Sequence, residues 1–263
     1  MNVRHGFLVE WPADLDAALD VALERDFDYV ELNMDYAFER ERVDAASVRR
    51  AAAERDVDLL VHLPYRLAAA SPHEHVREGA VRELEATIDA AVELGAEKGV
   101  FHAVSLAHPA KWDRDEVRAR IYESVRRIDE YASERGFTAC VENLKTDFHD
   151  ASDFPELFER TDAVACLDTG HAHVTGQSLT EQADLLREWG ERVAHVHVND
   201  TRRDDEDEHL PVGLGKLDFG VLADAIRETD WSGTLTHEVE TFDYEYAACG
   251  RDRLVRLLDA SAD

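Results

Sequence analysis

Short apolar runs alternate along the whole chain with longer stretches in which apolar residues recur every three or four positions. The short runs fall at 3–9, 28–33, 57–62, 98–104, 138–143, 163–168, 193–198 and 234–239. They are rich in Val, Leu and Phe and mostly continuous, the pattern of parallel strands covered on their outer face by helices. The stretches between them predict helices over 12–26, 43–55, 74–95, 114–135, 153–160, 179–190, 217–228 and 246–259. Pro12 reads as a first-turn residue, and Ser152 and Thr180, each followed by acidic residues, as helix starts. Gly136 and Gly190 read as C-terminal caps. Eight strands alternating with eight helices predict a single α/β domain, a (β/α)8 or TIM barrel, over 1–263. No internal repeat, low-complexity tract or linker interrupts it. The longest irregular stretch, 199–216, is acidic and then glycine-rich. It follows the seventh strand, on the face where barrel enzymes keep their chemistry.

Nine residues of metal-binding type recur near these strand ends: His62, His102, Glu142, Asp168, His171, His197, Asp207, His209 and Glu238. Imidazole and carboxylate bind divalent zinc or manganese, and a barrel gathers its strand ends around one cavity. Taken singly, each has a plainer explanation. A strand histidine is usually a hydrogen-bonded core residue, and a strand-end acid often caps the next helix. His5, His195 and His237 receive the core reading, with pleat alternation deciding which of the latter two face the cavity. Glu31, near the end of strand two, reads equally as a substrate contact or a structural ion-pair partner. Tyr65, close after His62, reads equally as a stacking surface for a sugar or a packing residue. The nine need nine separate plain explanations, and that is what favours a metalloenzyme.

Composition adds bounds. There are 58 Asp and Glu against 29 Lys and Arg, a formal net charge of −29, spread along the chain. This fits a salt-adapted, halophilic surface kept solvated by acidic charge. It opposes nucleic acid binding, although high salt screens such fields. The basic residues are mostly Arg; Arg66, Lys145, Arg202 and Arg203 are candidates for an anion site. Cys140, Cys166 and Cys249 are widely spaced with no Cys-x-x-Cys, so neither disulfides nor a thiolate metal site are expected. No apolar run reaches the ~18 residues of a membrane span, and no signal peptide is evident, so a cytoplasmic location is expected.

Three segments carry a family resemblance: Asp168-Thr169-Gly170-His171-Ala172, His197-Val198-Asn199-Asp200, and Asp207-Glu208-His209-Leu210-Pro211-Val212-Gly213-Leu214-Gly215, followed by Lys216-Leu217-Asp218-Phe219. Over nearly its whole length the chain resembles the xylose-isomerase-like barrel superfamily, which includes sugar isomerases and epimerases and also endonuclease IV, the apurinic-site nuclease. In the epimerase branch the resemblance implies one divalent ion (zinc, manganese or cobalt) on Glu142, Asp168, His197 and Glu238. Glu142 and Glu238 would double as acid and base around a metal-stabilised enediolate. Binding to the metal lowers a glutamate's basicity, so substrate would have to reposition it. His62, His102, His171 and His209 would then bind substrate hydroxyls or a phosphate. In the endonuclease branch the nine residues would hold three zincs: His62, His102 and Glu142 the first; Glu142, Asp168, His197 and Glu238 the second; His171, Asp207 and His209 the third.

The chain departs from the nuclease pattern. It has His102-Ala103-Val104 in place of His-Pro-Gly, Leu144-Lys145-Thr146-Asp147 in place of a glycine-rich segment, and no convincing basic segment for a bent duplex. The expected function is therefore a metal-dependent sugar or sugar-phosphate isomerase or epimerase, motivated by the paired glutamates and the Gly213-x-Gly215 turn. The alternative is an abasic-site phosphodiesterase, and a weaker reading is a barrel that binds metal and a carbohydrate-like ligand without turnover. The expected partner is a small sugar, nucleic acid entering only under the alternative. Barrels of this kind often form homodimers.

Overall fold

In the computed structural model, residues 2–10, 14–241 and 243–260 are described. Eight parallel strands close into a barrel in sequence order: β1 (Val3–Val9), β2 (Tyr29–Asn33), β3 (Asp58–His62), β4 (Lys98–Phe101), β5 (Thr138–Glu142), β6 (Val164–Asp168), β7 (Val193–Val198) and β8 (Gly233–His237). β1 pairs with both β2 and β8, which completes the ring. The helices are α1 (Leu15–Glu24), α2 (Ala45–Ala53), α3 (Glu74–Leu94), α4 (Arg114–Ser133), α5 (Phe154–Arg160), α6 (Thr169–Val174), α7 (Leu179–Trp189), α8 (Phe219–Glu228) and α9 (Glu245–Asp259). The expected single-domain barrel is the observed fold. Among the described residues no helix is long and apolar enough to cross a membrane.

Pleat alternation divides each strand between two environments. Phe101, Val141, Leu167 and Val196 belong to the main apolar core, which includes Ile88, Ile128 and Ile226 of the helices. Their neighbours Val100, Cys140 and Cys166 point the other way and form a separate small apolar group inside the barrel. Polar side chains fill much of the remaining interior: Glu31, His195, Thr234 and Thr236 are all buried. His5 and His237 face outward, their rings stacked at 5.7 Å.

Four expectations shift in detail. β4 stops at Phe101 and β8 at His237, so His102 and Glu238 follow their strands. Beyond Phe101 the Val104 carbonyl accepts from Ala70 N–H in the β3 loop, so this backbone leaves the β5 ladder. The helix α6 was not foreseen; it begins directly after Asp168, whose side chain caps it. Neither Ser152 nor Thr180 is the cap: Asp150 forms a capping box with Asp153 on a 3-10 turn (Ala151–Asp153) that leads into α5, and Ser178 forms one with Glu181 on α7. Gly136 has a positive φ of 69°, but Gly190 has helical dihedrals and leads into a 3-10 turn (Gly190–Arg192). Pro12 lies outside the described residues.

The long loop after β7 winds around one buried carboxylate. Asp200 accepts the amides of Gly213 and Gly215 at 2.9 Å each, Thr201 at 2.9 Å and Leu217 at 3.0 Å. A Cβ on Gly215 would lie 2.2 Å from Asp200 Oδ1, and Gly213 has φ +90°, so both glycines serve this wrap. Their amides are thereby committed to Asp200 and do not cradle a ligand phosphate. Backbone bonds between Asp200 and Leu210 pin the far side of the loop. Asp200→Ala leaves four amides without their partner. It is expected to cost roughly 2–4 kcal/mol in urea unfolding and to open the loop to proteolysis, with Asp200→Asn milder. An unchanged midpoint and cleavage pattern would show that the loop is held otherwise.

Candidate metal centre

The nine expected ligands converge at the C-terminal mouth of the barrel. Glu142, at the end of β5, is the hub. Its Oε2 lies 2.6 Å from His102 Nε2 and 3.4 Å from His62 Nε2. Its Oε1 lies 3.2 Å from His197 Nδ1 and 3.6 Å from His171 Nδ1. The same His197 Nδ1 is 3.3 Å from Glu238 Oε2 and 3.9 Å from Asp168 Oδ2. His209 Nε2 reaches Glu238 at 3.5 Å. Register supports this gathering, since Asp168 stands beside His197 and Glu142 beside Cys166 on adjacent strands.

Three groups of donor atoms are compact enough to hold an ion: His62, His102 and Glu142; Glu142, Asp168, His197 and Glu238; and Asp168, His171 and His209. A fourth such group, Cys166, His195 and His197, lies in the barrel interior. The donor chemistry fits divalent metals. Buried Glu238 Oε2, His209 Nδ1 and Asp207 Oδ1 have no hydrogen-bond partner, which suits atoms waiting for a ligand. Ring orientation is set from behind. His62 Nδ1 donates to the Leu63 carbonyl at 2.8 Å, and His171 Nδ1 to the Asn143 carbonyl at 2.9 Å. Both leave Nε2 facing the cavity.

Asp168 serves two purposes. Its Oδ1 caps α6 through the His171 amide at 2.5 Å, and its Oδ2 accepts from Asn199 Nδ2 at 2.8 Å. Asn143 brackets the backbone of Asp168 from both sides, accepting from its amide at 2.8 Å and donating to its carbonyl at 3.1 Å. Gly170 is required beside these groups, because a Cβ there would come within 2.0 Å of Asn199 Oδ1 and 2.4 Å of Asp207 Oδ1.

Asp207 lies with His171 and His209 as expected, but it also holds a lysine. Its Oδ2 meets Lys145 Nζ at 3.0 Å, with His171 Nε2 at 3.4 Å and His209 Nδ1 at 3.5 Å. The Lys145 ammonium thus shares Asp207 with the two imidazoles. Arg202 pairs with Glu208, and Arg203 with Asp205 and Glu206, so neither offers a free anion site. Glu31 lies within β2, entirely buried, against His195 and His197 rather than at the cavity wall. Tyr65 lines the cavity, its ring edge-on to His62 at 6.1 Å. Asn143 and Asn199 were not singled out as site residues, and Lys145 was expected only as part of an anion site, not as the partner of Asp207. The only signal for the asparagines was their position one and two residues beyond a ligand-type side chain.

The cavity above these groups has a volume of about 420 Å³, and its lining includes Glu10, Asn33, Lys145, Glu238 and Glu240. Its electrostatics are those of packed opposite charges. Burial would keep His62 neutral, but the hydrogen bond and charge of Glu142, with Glu31, raise it to about 9. Burial likewise opposes charge on His209, which Glu238 and Asp207 raise to about 10. Burial and the neighbouring charges of Glu238, Asp207 and Glu142 push Asp168 well above the usual carboxylate range. Burial acts the same way on Glu142 and Glu238 but is outweighed by imidazoles, His102 and His197 for the first and His197 and His209 for the second; both are held well below that range.

The model of the xylose isomerase-like TIM barrel family matches residues 19–258, and the chain belongs to that family. A probable endonuclease 4 of Mycobacterium ulcerans is 29% identical over 201 residues, covering 73% of this chain and 75% of that protein. Among solved structures, a D-tagatose 3-epimerase-like protein superposes with a TM-score of 0.82 at 22% identity, covering 97% of each chain. A D-psicose 3-epimerase crystallised in the presence of D-fructose gives 0.79 at 17% identity, covering 98% of this chain and 100% of the other. At these identities the structural likeness is one of fold.

With their imidazole pKa values raised, His62 and His209 would have to give up protons at neutral pH to a metal bound here. Metal affinity is expected to rise as pH increases from about 6 to 9, with proton release. Calorimetry in buffers of different ionisation enthalpy checks this; uptake without proton release at pH 7 would contradict it.

Proposed function

We propose that this chain is a divalent-metal-dependent isomerase or epimerase of an unphosphorylated ketose. The observation that carries the reading is the pair of glutamates, from strands three places apart, that meet on one imidazole nitrogen. Glu142 and Glu238 approach His197 Nδ1 at 3.2 Å and 3.3 Å, below a cavity sized for a small molecule. A divalent ion held by Glu142, Asp168, His197 and Glu238 supplies Lewis acidity toward the substrate oxygens. One glutamate takes the proton from the carbon beside the carbonyl, and the C–H electron pair moves toward the carbonyl oxygen to give an enediolate. The other returns a proton, at the neighbouring carbon or the opposite face. Imidazoles of His62, His102, His171 and His209 are placed to bond substrate hydroxyls, with Tyr65 as a wall. The acidic mouth, with Glu10 and Glu240, disfavours a phosphate dianion. The likeness to a D-psicose 3-epimerase and a D-tagatose 3-epimerase-like protein supports the reaction class.

The alternative is a three-zinc phosphodiesterase acting at abasic sites in DNA. The gathering of eight of the nine donors into three compact groups, with Asp207 beside His171 and His209, and the likeness to endonuclease 4 sequences support it. Lys145 counts against it, since its ammonium competes with a third cation for Asp207.

Metal analysis after purification in high salt without chelator separates the two. About one exchangeable zinc, manganese or cobalt per chain, with turnover of a free ketose but not its phosphate, is the expected result. About three zincs with cleavage of an abasic-site oligonucleotide would establish the alternative instead. No metal after reloading would sink both. Glu142→Gln and Glu238→Gln should each lower kcat by at least ~10²-fold while the fold persists, and full activity in either would break the assignment. Asp207→Ala should keep the metal and change KM; loss of one ion with collapse of activity would favour the nuclease.

A further inference from the structure

Glu31 sits in the middle of β2 with no exposed surface. Barrel interiors are normally filled by layers of branched aliphatic side chains. A carboxylate buried there without partners would be strongly unfavourable. This one is fully engaged. Its Oε1 lies 3.2 Å from His197 Nε2. Its Oε2 accepts from His195 Nε2 at 3.1 Å and from Thr236 Oγ1 at 2.5 Å. The supports are themselves supported: His195 Nδ1 is 2.5 Å from Thr234 Oγ1, and Tyr29 OH is 3.0 Å from Thr236 Oγ1. The opposite nitrogen of the His197 ring, Nδ1, faces Glu142, Asp168 and Glu238.

We propose that Glu31 is the positioning residue of the metal centre: it fixes His197 with the hydrogen on Nε2 and presents Nδ1 to the ion. This rests on the metal reading above. A leucine could fill the same space in the barrel, but only an acceptor at this point orders the imidazole. Carboxylate–histidine–metal chains of this kind set ring orientation and ligand basicity. The carboxylate is anchored on its far oxygen by His195 and Thr236, so the ring is held by a part of the barrel that substrate never reaches.

The test is cobalt binding, read by titration and by the visible ligand-field spectrum. Glu31→Gln keeps the shape and removes the charge; it should weaken cobalt binding about 10–100-fold and alter the spectrum, and Glu31→Asp should recover part of the loss. Thr236→Val removes one of the two donors to the other oxygen, His195 remaining, and should weaken cobalt binding less than Glu31→Gln while lowering thermal stability. A merely structural Glu31 would lower stability in both variants and move neither affinity nor spectrum. A folded Glu31→Gln chain with wild-type cobalt affinity and spectrum therefore overturns the proposal alone. A wild-type chain that takes up no cobalt overturns the metal reading and this proposal together. Should Glu31→Gln not fold, nitrogen-15 spectra of the histidines in the zinc-loaded wild type decide the matter. The Nε2–H form of His197 is expected, and the Nδ1–H form overturns the proposal.

Discussion

Four imidazoles converge on the single buried carboxylate of Glu142, and the rest of the mouth is arranged around that convergence. Each partner makes the others tolerable. Buried carboxylate charge would be unfavourable alone, and so would buried imidazolium, but interleaved they hold one another in place. The same interleaving would suit a divalent cation, which would displace the imidazole protons and take their place opposite the carboxylates. Asp168 shows the strain of that arrangement. With Glu238, Asp207 and Glu142 close by, it is the carboxylate driven toward protonation.

The scaffold supplies this density by parity. On β7, residues two apart share a face, so His195 and His197 both look into the barrel, one layer apart. His197 belongs to the mouth and His195 to the layer beneath it, where Glu31 links the two. Outward-facing neighbours such as Val196 and Val198 pack in the core shared with the helices. From His195 to Val198 polar chemistry and apolar packing therefore alternate, and neither can slip by one position without exchanging places with the other.

Strand order, the closed ring and the ligand-type side chains were legible in the sequence, because continuous apolar runs and helical periodicity are local patterns. The short helix α6 was not, since it has too few turns to show a period and owes its start to the carboxylate of Asp168. The roles of Gly213 and Gly215 were hidden for a different reason. Glycines before a helix suggest an anion cradle, and here the anion is the chain's own Asp200. Lys145 was legible as an anion-site candidate and Glu31 as a possible ion-pair residue, but the partner of neither was. The contact of the first with Asp207 spans 62 positions, and that of the second with His197 spans 166. Distances of that kind are set by closure of the barrel and not by neighbouring sequence.

Closure also fixes when the centre can exist. Glu238 follows β8, and β8 is held between β7 and β1. A growing polypeptide must therefore expose its first strand unpaired on one edge until its eighth has emerged, and only then does the fourth member of the Glu142, Asp168, His197 and Glu238 group arrive. Long-range pairing of this kind folds slowly and leaves sheet edges open in the interim. An incomplete chain thus carries most of the ligands with no vessel to hold them, and any ion it captured would be bound by loose side chains. The ring gives assembly an order of events in which the chemistry comes last.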